Sequence, residues 1–257
     1  MKIYFLAEKL KYRHTSLKGL TIGMPLASVL LAMWLTHDYF AVSSYNWWYI
    51  GLYPCLIGIL CGMIGEKDKK KKNLTIGSLP CNMGKIWDAK ILLGTVLSGA
   101  AMLCVVIFTM IAVSVLENEL NQTIIALPSV KVQLTAGLVI WLSSLWQIPF
   151  CLLFVQKMGM FLMLLIHMGS YSILAVTASL TPWFAFFPEA ITARLMCPVL
   201  GVLPNGLPAV EGQMTYLPEL MEIQNIWIGV PASIFWFWLF WKGSRKHFQK
   251  VLSENVF

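Results

Sequence analysis

The chain has 257 residues, of which 58% are hydrophobic and 12% charged, and its mean hydropathy is +0.71. This balance lies outside that of soluble globular domains and indicates a membrane protein. The formal net charge is +7, but the basic residues are not interleaved with stacking aromatic residues, which disfavours a nucleic-acid-binding protein.

Six uncharged stretches are long enough to cross the hydrocarbon core of a bilayer, which takes about 20 helical residues. Backbone amides in lipid must be satisfied within the segment, and the polar and apolar alternation of barrel strands is missing, so these stretches are helices. They are residues 19–36, 47–65, 91–116, 132–156, 158–181 and 223–241. The sequence predicts an all-α integral membrane protein, with residues 1–257 forming one domain of six transmembrane helices.

The distribution of Lys and Arg predicts that both termini lie in the cytoplasm, because basic residues are retained on that side. With the N-terminus inside, 17 of the 19 basic residues are cytoplasmic, and only Lys131 and Arg194 are outside. The net charge is then −5 outside and +12 inside. The positive charge of the chain therefore follows from its topology.

The N-terminal residues 1–18 precede the first predicted span. Five apolar residues fall on one helical face, and the basic residues spread over the others; the apolar ones are Ile3, Leu6, Ala7, Leu10 and Leu17. This pattern predicts an amphipathic elbow helix lying along the inner membrane surface.

The segment 66–90 is the one sizeable cytoplasmic loop that the predicted spans leave. It opens with a run of lysines, which is typical of a topology signal against anionic lipid. The apolar residues that follow are unnecessary in a solvated linker, so a short helix near 74–90 is expected to contact a protein partner or the membrane surface.

The segment 182–224 is the longest predicted external one. Within it, residues 195–210 are uncharged, but prolines and glycines interrupt them repeatedly. The stretch is also short for a crossing. External re-entrant or surface helices before the last span are expected here, rather than a seventh span.

Residues for catalysis are not evident. A phosphate-binding G-x-x-x-x-G-K-[ST] loop is missing from the sequence, and so is C-x-x-C spacing among the six cysteines. His167 is the sole ionisable residue within the predicted spans, and an interhelical hydrogen bond is favoured for it over a proton relay. The sequence predicts a non-catalytic membrane subunit without a metal site, whose energy comes from a partner.

Short motifs at the N-terminal third resemble a known family. They are EKLKY at 8–12, NWWY at 46–49, KDKKKKN at 67–73, SLP at 78–80 and KIW at 85–87. They resemble the permease subunits of lantibiotic self-protection ABC transporters of the MutE/EpiE type, within the type 2 ABC exporter permeases. The length and the six-span plan agree over nearly the whole chain, whereas the motifs are weak beyond residue 90.

This resemblance implies an elbow helix, a coupling helix between spans two and three, and assembly with a second six-span permease and two copies of an ATPase that binds ATP and Mg. The complex would move an antimicrobial peptide from the outer surface of the bacterial plasma membrane back to the medium. The expected ATPase contacts are Glu8, Lys9, Leu74, Ile76, Leu79, Pro80, Ile86 and Trp87.

The predicted negative external face would attract a cationic peptide. Glu211, Glu219 and Glu222 are the expected peptide contacts, together with apolar residues of 195–210; alternatively, these carboxylates serve only topology and solubility. Two other functions stay open: a sensor or secondary transporter that needs no ATPase, and an ABC exporter of a drug or lipid.

Overall fold

The computed structural model describes residues 1–36, 39–69, 81–118 and 127–256, with side chains up to residue 116 in the third range and 253 in the last. Within these ranges the fold is all-helical and has no β-strand. Five helical segments are long and apolar enough to cross a membrane: Leu17–Thr36, Phe40–Lys69, Met83–Leu116, Val130–Met158 and Met160–Leu180. The predicted all-α class and membrane character are confirmed.

The first two spanning segments follow a short amphipathic helix. Helix α1 (Lys2–Lys11) leads into α2 (Leu17–Thr36), and α3 (Phe40–Trp47) continues through one π-helical turn (Trp48–Leu52) into α4 (Tyr53–Lys69). The π-turn ends two residues before Pro54, which has no N–H to donate to the carbonyl of Ile50. A local π-helical turn is one way in which a membrane helix satisfies the backbone groups that a proline leaves free.

Helix α5 (Met83–Asn118) has 36 residues and begins earlier than the predicted third span. The backbone N–H of Lys85 donates to Asn82 Oδ1 at 3.1 Å, so Asn82 caps the helix. Residues 83–90 therefore form the first turns of α5 rather than a separate short helix. Since α4 extends to Lys69, the connection between these two helices covers residues 70–82, of which 70–80 lie outside the described residues.

The next spanning segment is interrupted. Helix α6 (Val130–Ser144) stops and α7 (Gln147–Met158) begins just before Pro149, which cannot donate to the carbonyl of Leu145. Gly159, at φ 92°, then joins α7 to α8 (Met160–Thr177). A positive φ is a conformation that favours glycine, so this residue permits the one-residue reversal.

The predicted external segment 182–224 contains a helix that is packed inside the bundle. Helix α9 (Pro188–Leu200) contacts α6, α8 and the C-terminal helix α10 (Gln224–Val256). Ile191, Leu195 and Met196 of its central turns have no exposed surface. All but the first residue of the predicted sixth span, 223–241, lies within α10, which is not among the five segments that qualify by length and hydropathy.

Side-chain contacts sort the described segments into two ends of the bundle. One end, here called the basic end, gathers α1, the end of α4, the start of α5, the α7–α8 turn and the second half of α10. Lys69 Nζ donates to Val155 O at 2.8 Å, and Trp87 stacks on Phe248 with ring centroids 4.6 Å apart. The other end gathers the α2–α3 junction, the end of α5, the start of α6 and the segment 178–224.

Candidate coupling site at the basic end

Four charged side chains from three helices meet at the basic end. Lys90 Nζ of α5 bonds to Asp68 Oδ2 of α4 and lies 3.3 Å from Glu8 Oε2 of α1. Lys11 Nζ lies 2.7 Å from Glu8 Oε1 and 3.2 Å from Asp68 Oδ2. The side chain of Lys90 is 0% exposed, that of Glu8 4% and that of Asp68 11%. This charge cluster contains two positive and two negative groups and is therefore neutral.

The cluster is buried, and its geometry offsets the cost of burial. An unpaired charge removed from water is strongly unfavourable, whereas a charge with opposite partners and hydrogen bonds is tolerated. Burial on its own lowers the pKa of Lys11, but the hydrogen bond and charge of Glu8, with those of Asp68, outweigh it and raise the pKa overall. Lys11 is thus held in its charged form beside both carboxylates.

Tyr12 fixes the end of α1 beside the cluster. Its hydroxyl donates to Ile64 O of α4 at 2.9 Å, and the ammonium of Lys67 lies 5.0 Å from the ring centroid. Burial raises the pKa of Tyr12, and the charges of Glu8 and Asp68 raise it further, so the phenol stays protonated as a donor. The amphipathic helix is therefore attached to the end of α4 by ionic, polar and aromatic contacts together.

The start of α5 is also attached to α10. Trp87 Nε1 donates to Ser244 Oγ at 2.9 Å while its ring stacks on Phe248. A second hydrogen bond joins the same two helices, since Trp241 Nε1 of α10 donates to Asp88 Oδ1 of α5 at 2.8 Å. A displacement of the start of α5 would therefore reach α1, α4 and α10 together.

The structure separates the expected ATPase contacts into three groups. Lys9 is exposed, whereas Glu8 is 3% exposed, Ile86 7% and Trp87 0%. The three buried residues cannot contact another protein directly, but they pack beneath the exposed surface of the basic end. The remaining four lie outside the described residues: Leu74, Ile76, Leu79 and Pro80.

Sequence reasoning missed three members of the charge cluster, namely Lys11, Asp68 and Lys90. Asp68 stands within the lysine run and Lys90 directly before an apolar stretch. Both looked like ordinary charges flanking a span. One signal was available in the sequence. Asp68 is an acidic residue within the lysine run, and an acidic residue does not help to retain a segment in the cytoplasm, so another role could have been inferred for it.

The expected peptide contacts lie at the other end. Glu211, Glu219 and Glu222 are all exposed. Two of them lie near the buried Arg194, which donates to the backbone oxygen of Glu219 at 3.1 Å. Burial lowers the pKa of this guanidinium, although the charges of Glu219 and Glu222 oppose the change. The structure thus brings Glu219 and Glu222 to one site.

Apolar side chains accompany these carboxylates. Met214 is 99% exposed, Ile223 69% and Trp227 77%. Of the stretch 195–210, residues up to Leu203 are mostly buried, whereas Leu207 and Val210 are exposed. An amphipathic ligand would therefore meet apolar residues after 203 rather than before it.

His167 lies in the interior, as an interhelical partner would. Its Nε2 is 3.2 Å from Gln147 Oε1 of α7, and its side chain has no exposed surface. Trp146, Phe150 and Tyr171 surround the imidazole with ring centroids about 6 Å away. The hydrogen bond joins α7 to α8.

Comparison of the chain with family models, with curated proteins and with solved structures gives no match.

Proposed function

We propose that this chain is the permease subunit of a bacterial ABC transporter that expels a lantibiotic or similar cationic antimicrobial peptide from the plasma membrane to the outside. Six crossings, with α10 as the last, place both termini and the basic end in the cytoplasm. The supporting observation is the charge cluster, which connects α1, α4 and α5 at the end that carries most of the basic residues.

The cluster suits a passive subunit that a partner moves. Asp68 and Lys90 stand at the facing ends of the two helices that the segment 70–82 connects. A force applied to that segment acts on both helices next to the ion pairs. Because Lys90 is also bonded to Glu8, the movement carries α1 with it. Such a connection provides a discrete mechanical path from a cytoplasmic ATPase to the spans.

In the proposed complex, two copies of the ATPase bind ATP and Mg, and a second six-span permease completes the pathway. The exposed Lys9 and the residues Leu74, Ile76, Leu79 and Pro80 supply the contact surface. Glu8, Ile86 and Trp87 position that surface from within.

Copurification tests the ATPase contact. Tagged protein is isolated in mild detergent, and the copurifying proteins are identified by mass spectrometry. Lys9→Glu and Leu79→Ala should each reduce recovery of the ATPase, while Lys2→Glu, an equal charge change on exposed α1 surface, should retain it. Equal recovery with all three variants would refute the assigned surface. A chain that purifies alone, with no peptide-stimulated ATP hydrolysis, would favour the sensor or secondary transporter.

At the outer end, the exposed carboxylates are proposed to gather the cationic peptide, and Met214, Ile223 and Trp227 to meet its apolar side. Charge attraction at this face predicts a dependence on ionic strength. A drug or lipid substrate would not require these carboxylates.

Neutralisation of the outer carboxylates tests the peptide part. Replacing Glu211, Glu219 and Glu222 with Gln should lower peptide resistance of cells, with a larger loss at low salt. The matched control replaces three other acidic residues of the proposed outer side, namely Asp38, Glu117 and Glu119. Unchanged resistance in the first triple variant would mean that the carboxylates serve topology and solubility alone. An equal loss in both variants would refute the assigned contacts, because it would indicate a diffuse effect of negative charge on the outer side.

A further inference from the structure

A cleft of about 450 Å³ opens at the basic end between α1, the start of α2 and α5. Most of its lining is apolar and includes Leu6, Leu93, Val96 and Leu97. Three cationic residues, Lys9, Arg13 and Lys18, also line it, and all three are exposed, so their charges lie at its rim. The residues that line the cleft include no carboxylate.

These three cations have no acidic partner among the described residues. The neighbouring carboxylates, Glu8 and Asp68, point into the charge cluster and are bonded to Lys11 and Lys90. The two carboxylates are therefore neutralised by Lys11 and Lys90 within the cluster. The positive charges of Lys9, Arg13 and Lys18 at the rim of the cleft stay uncompensated.

The cleft lies between a helix that is long and apolar enough to cross a membrane and a short amphipathic helix. Leu93, Val96 and Leu97 belong to a segment that qualifies as a membrane span, whereas α1 is the short amphipathic helix beside it. A free phosphate ion would leave the apolar wall uncovered, and a neutral lipid would leave the cations without a counter-charge. A ligand with an anionic head and an apolar tail satisfies both surfaces.

We propose that this cleft binds one anionic phospholipid. Its phosphate lies among Lys9, Arg13 and Lys18, and one acyl chain lies along Leu93, Val96 and Leu97. Basic pockets of this kind between membrane helices suit anionic head groups. The lipid holds α1 in the position from which Glu8 and Lys11 reach the charge cluster. This inference needs only the membrane setting, and stands whether or not an ATPase binds.

Lipid retention tests the head-group contact. The protein is reconstituted in equal amounts of phosphatidylglycerol and phosphatidylcholine, extracted in mild detergent, and its retained lipid is counted by native mass spectrometry. One basic residue near an anionic surface is worth roughly a fivefold change in binding. The wild type should retain the anionic lipid preferentially, and a triple Gln variant of Lys9, Arg13 and Lys18 should lose that preference by at least about tenfold.

The matched control replaces Lys2, Lys85 and Lys246 with Gln, which removes the same charge from exposed positions at the same end. It should keep the preference of the wild type. If the first triple variant keeps its preference for the anionic lipid, the rim residues do not bind the head group and the proposal is wrong. If both triple variants lose the preference equally, the lipid is attracted by diffuse surface charge, and the proposal is also wrong.

A variant with intact charges tests the acyl-chain contact and separates this cleft from the ATPase surface. Val96 is 48% exposed and Ile107, further along the same helix, is 51% exposed and does not line the cleft. Val96→Trp should fill the apolar wall and abolish stoichiometric lipid retention, while Ile107→Trp should retain it. Retention in Val96→Trp equal to that of the control would refute the site.

Discussion

Replacement of Lys90 with Met gives the most direct test of the charge cluster. Met has a similar length and no charge, so it leaves the carboxylates of Glu8 and Asp68 buried with Lys11 as the remaining cation. Removing one partner from a buried ion pair costs about 3–5 kcal/mol. Since Lys11 still faces both carboxylates and is 30% exposed, we expect a loss of about 3 kcal/mol, at the lower limit of that range.

A double-mutant cycle distinguishes the ion pair from simple repacking. Asp68→Asn together with Lys90→Met makes the cluster neutral again, so the double variant should be more stable than the sum of the two single changes predicts, by at least about 1 kcal/mol. The free energy of unfolding is measured by SDS titration in mixed micelles. The control is Lys85→Met, which removes an exposed charge from the same helix and should change the free energy of unfolding by less than about 0.5 kcal/mol. A Lys90 variant as stable as this control, or strictly additive changes in the cycle, would refute the reasoning.

Three further predictions concern other parts of the bundle. Gly65→Ala should destabilise the protein in the same SDS titration, because the new Cβ would lie 2.7 Å from Val155 Cγ1, whereas Gly19→Ala meets nothing within 4 Å and should be neutral or slightly stabilising. Arg194→Met should cost about 2–4 kcal/mol, since it leaves one amide and two backbone oxygens without their donor; a cost below about 0.5 kcal/mol would contradict this. Burial raises the pKa of Glu189, so ionisation of this carboxyl destabilises the folded state at high pH. The destabilisation disappears as the pH falls and the carboxyl is protonated. Thermal unfolding should therefore show Glu189→Gln to be more stable than wild type at pH 8, with the difference shrinking towards pH 5, and a pH-independent difference would contradict the assignment.

Hydropathy predicted five of the six proposed spanning segments, because apolar runs are local in sequence. It predicted their ends poorly, since the end of a helix depends on what its last residues contact. The sequence places Asp68 and Lys90 in a polar loop, whereas pairing between helices keeps both within helical turns. Such pairing joins residues far apart in the chain and leaves no periodicity to detect.

Helix α9 shows the same limit in a different way. Pro198 and Gly201, among the prolines and glycines that interrupt residues 195–210, indicated an external segment. The proline occupies the last turn, where it can be accommodated, and the guanidinium of Arg194 is satisfied by oxygens from neighbouring segments. The surrounding helices, rather than α9 itself, determine that it is buried.

The separation of the charge cluster along the chain imposes an order on its assembly during synthesis. Glu8 precedes Lys90 by 82 residues, which corresponds to about 4 to 16 s of translation. During that interval Glu8 has only Lys11, three positions ahead, as a cationic partner within the cluster. An amphipathic helix can spend this time on the membrane surface. Helix α1 can therefore contact α4 first, through Tyr12 and Lys11, and its attachment is completed by Lys90 only after the start of α5 has emerged.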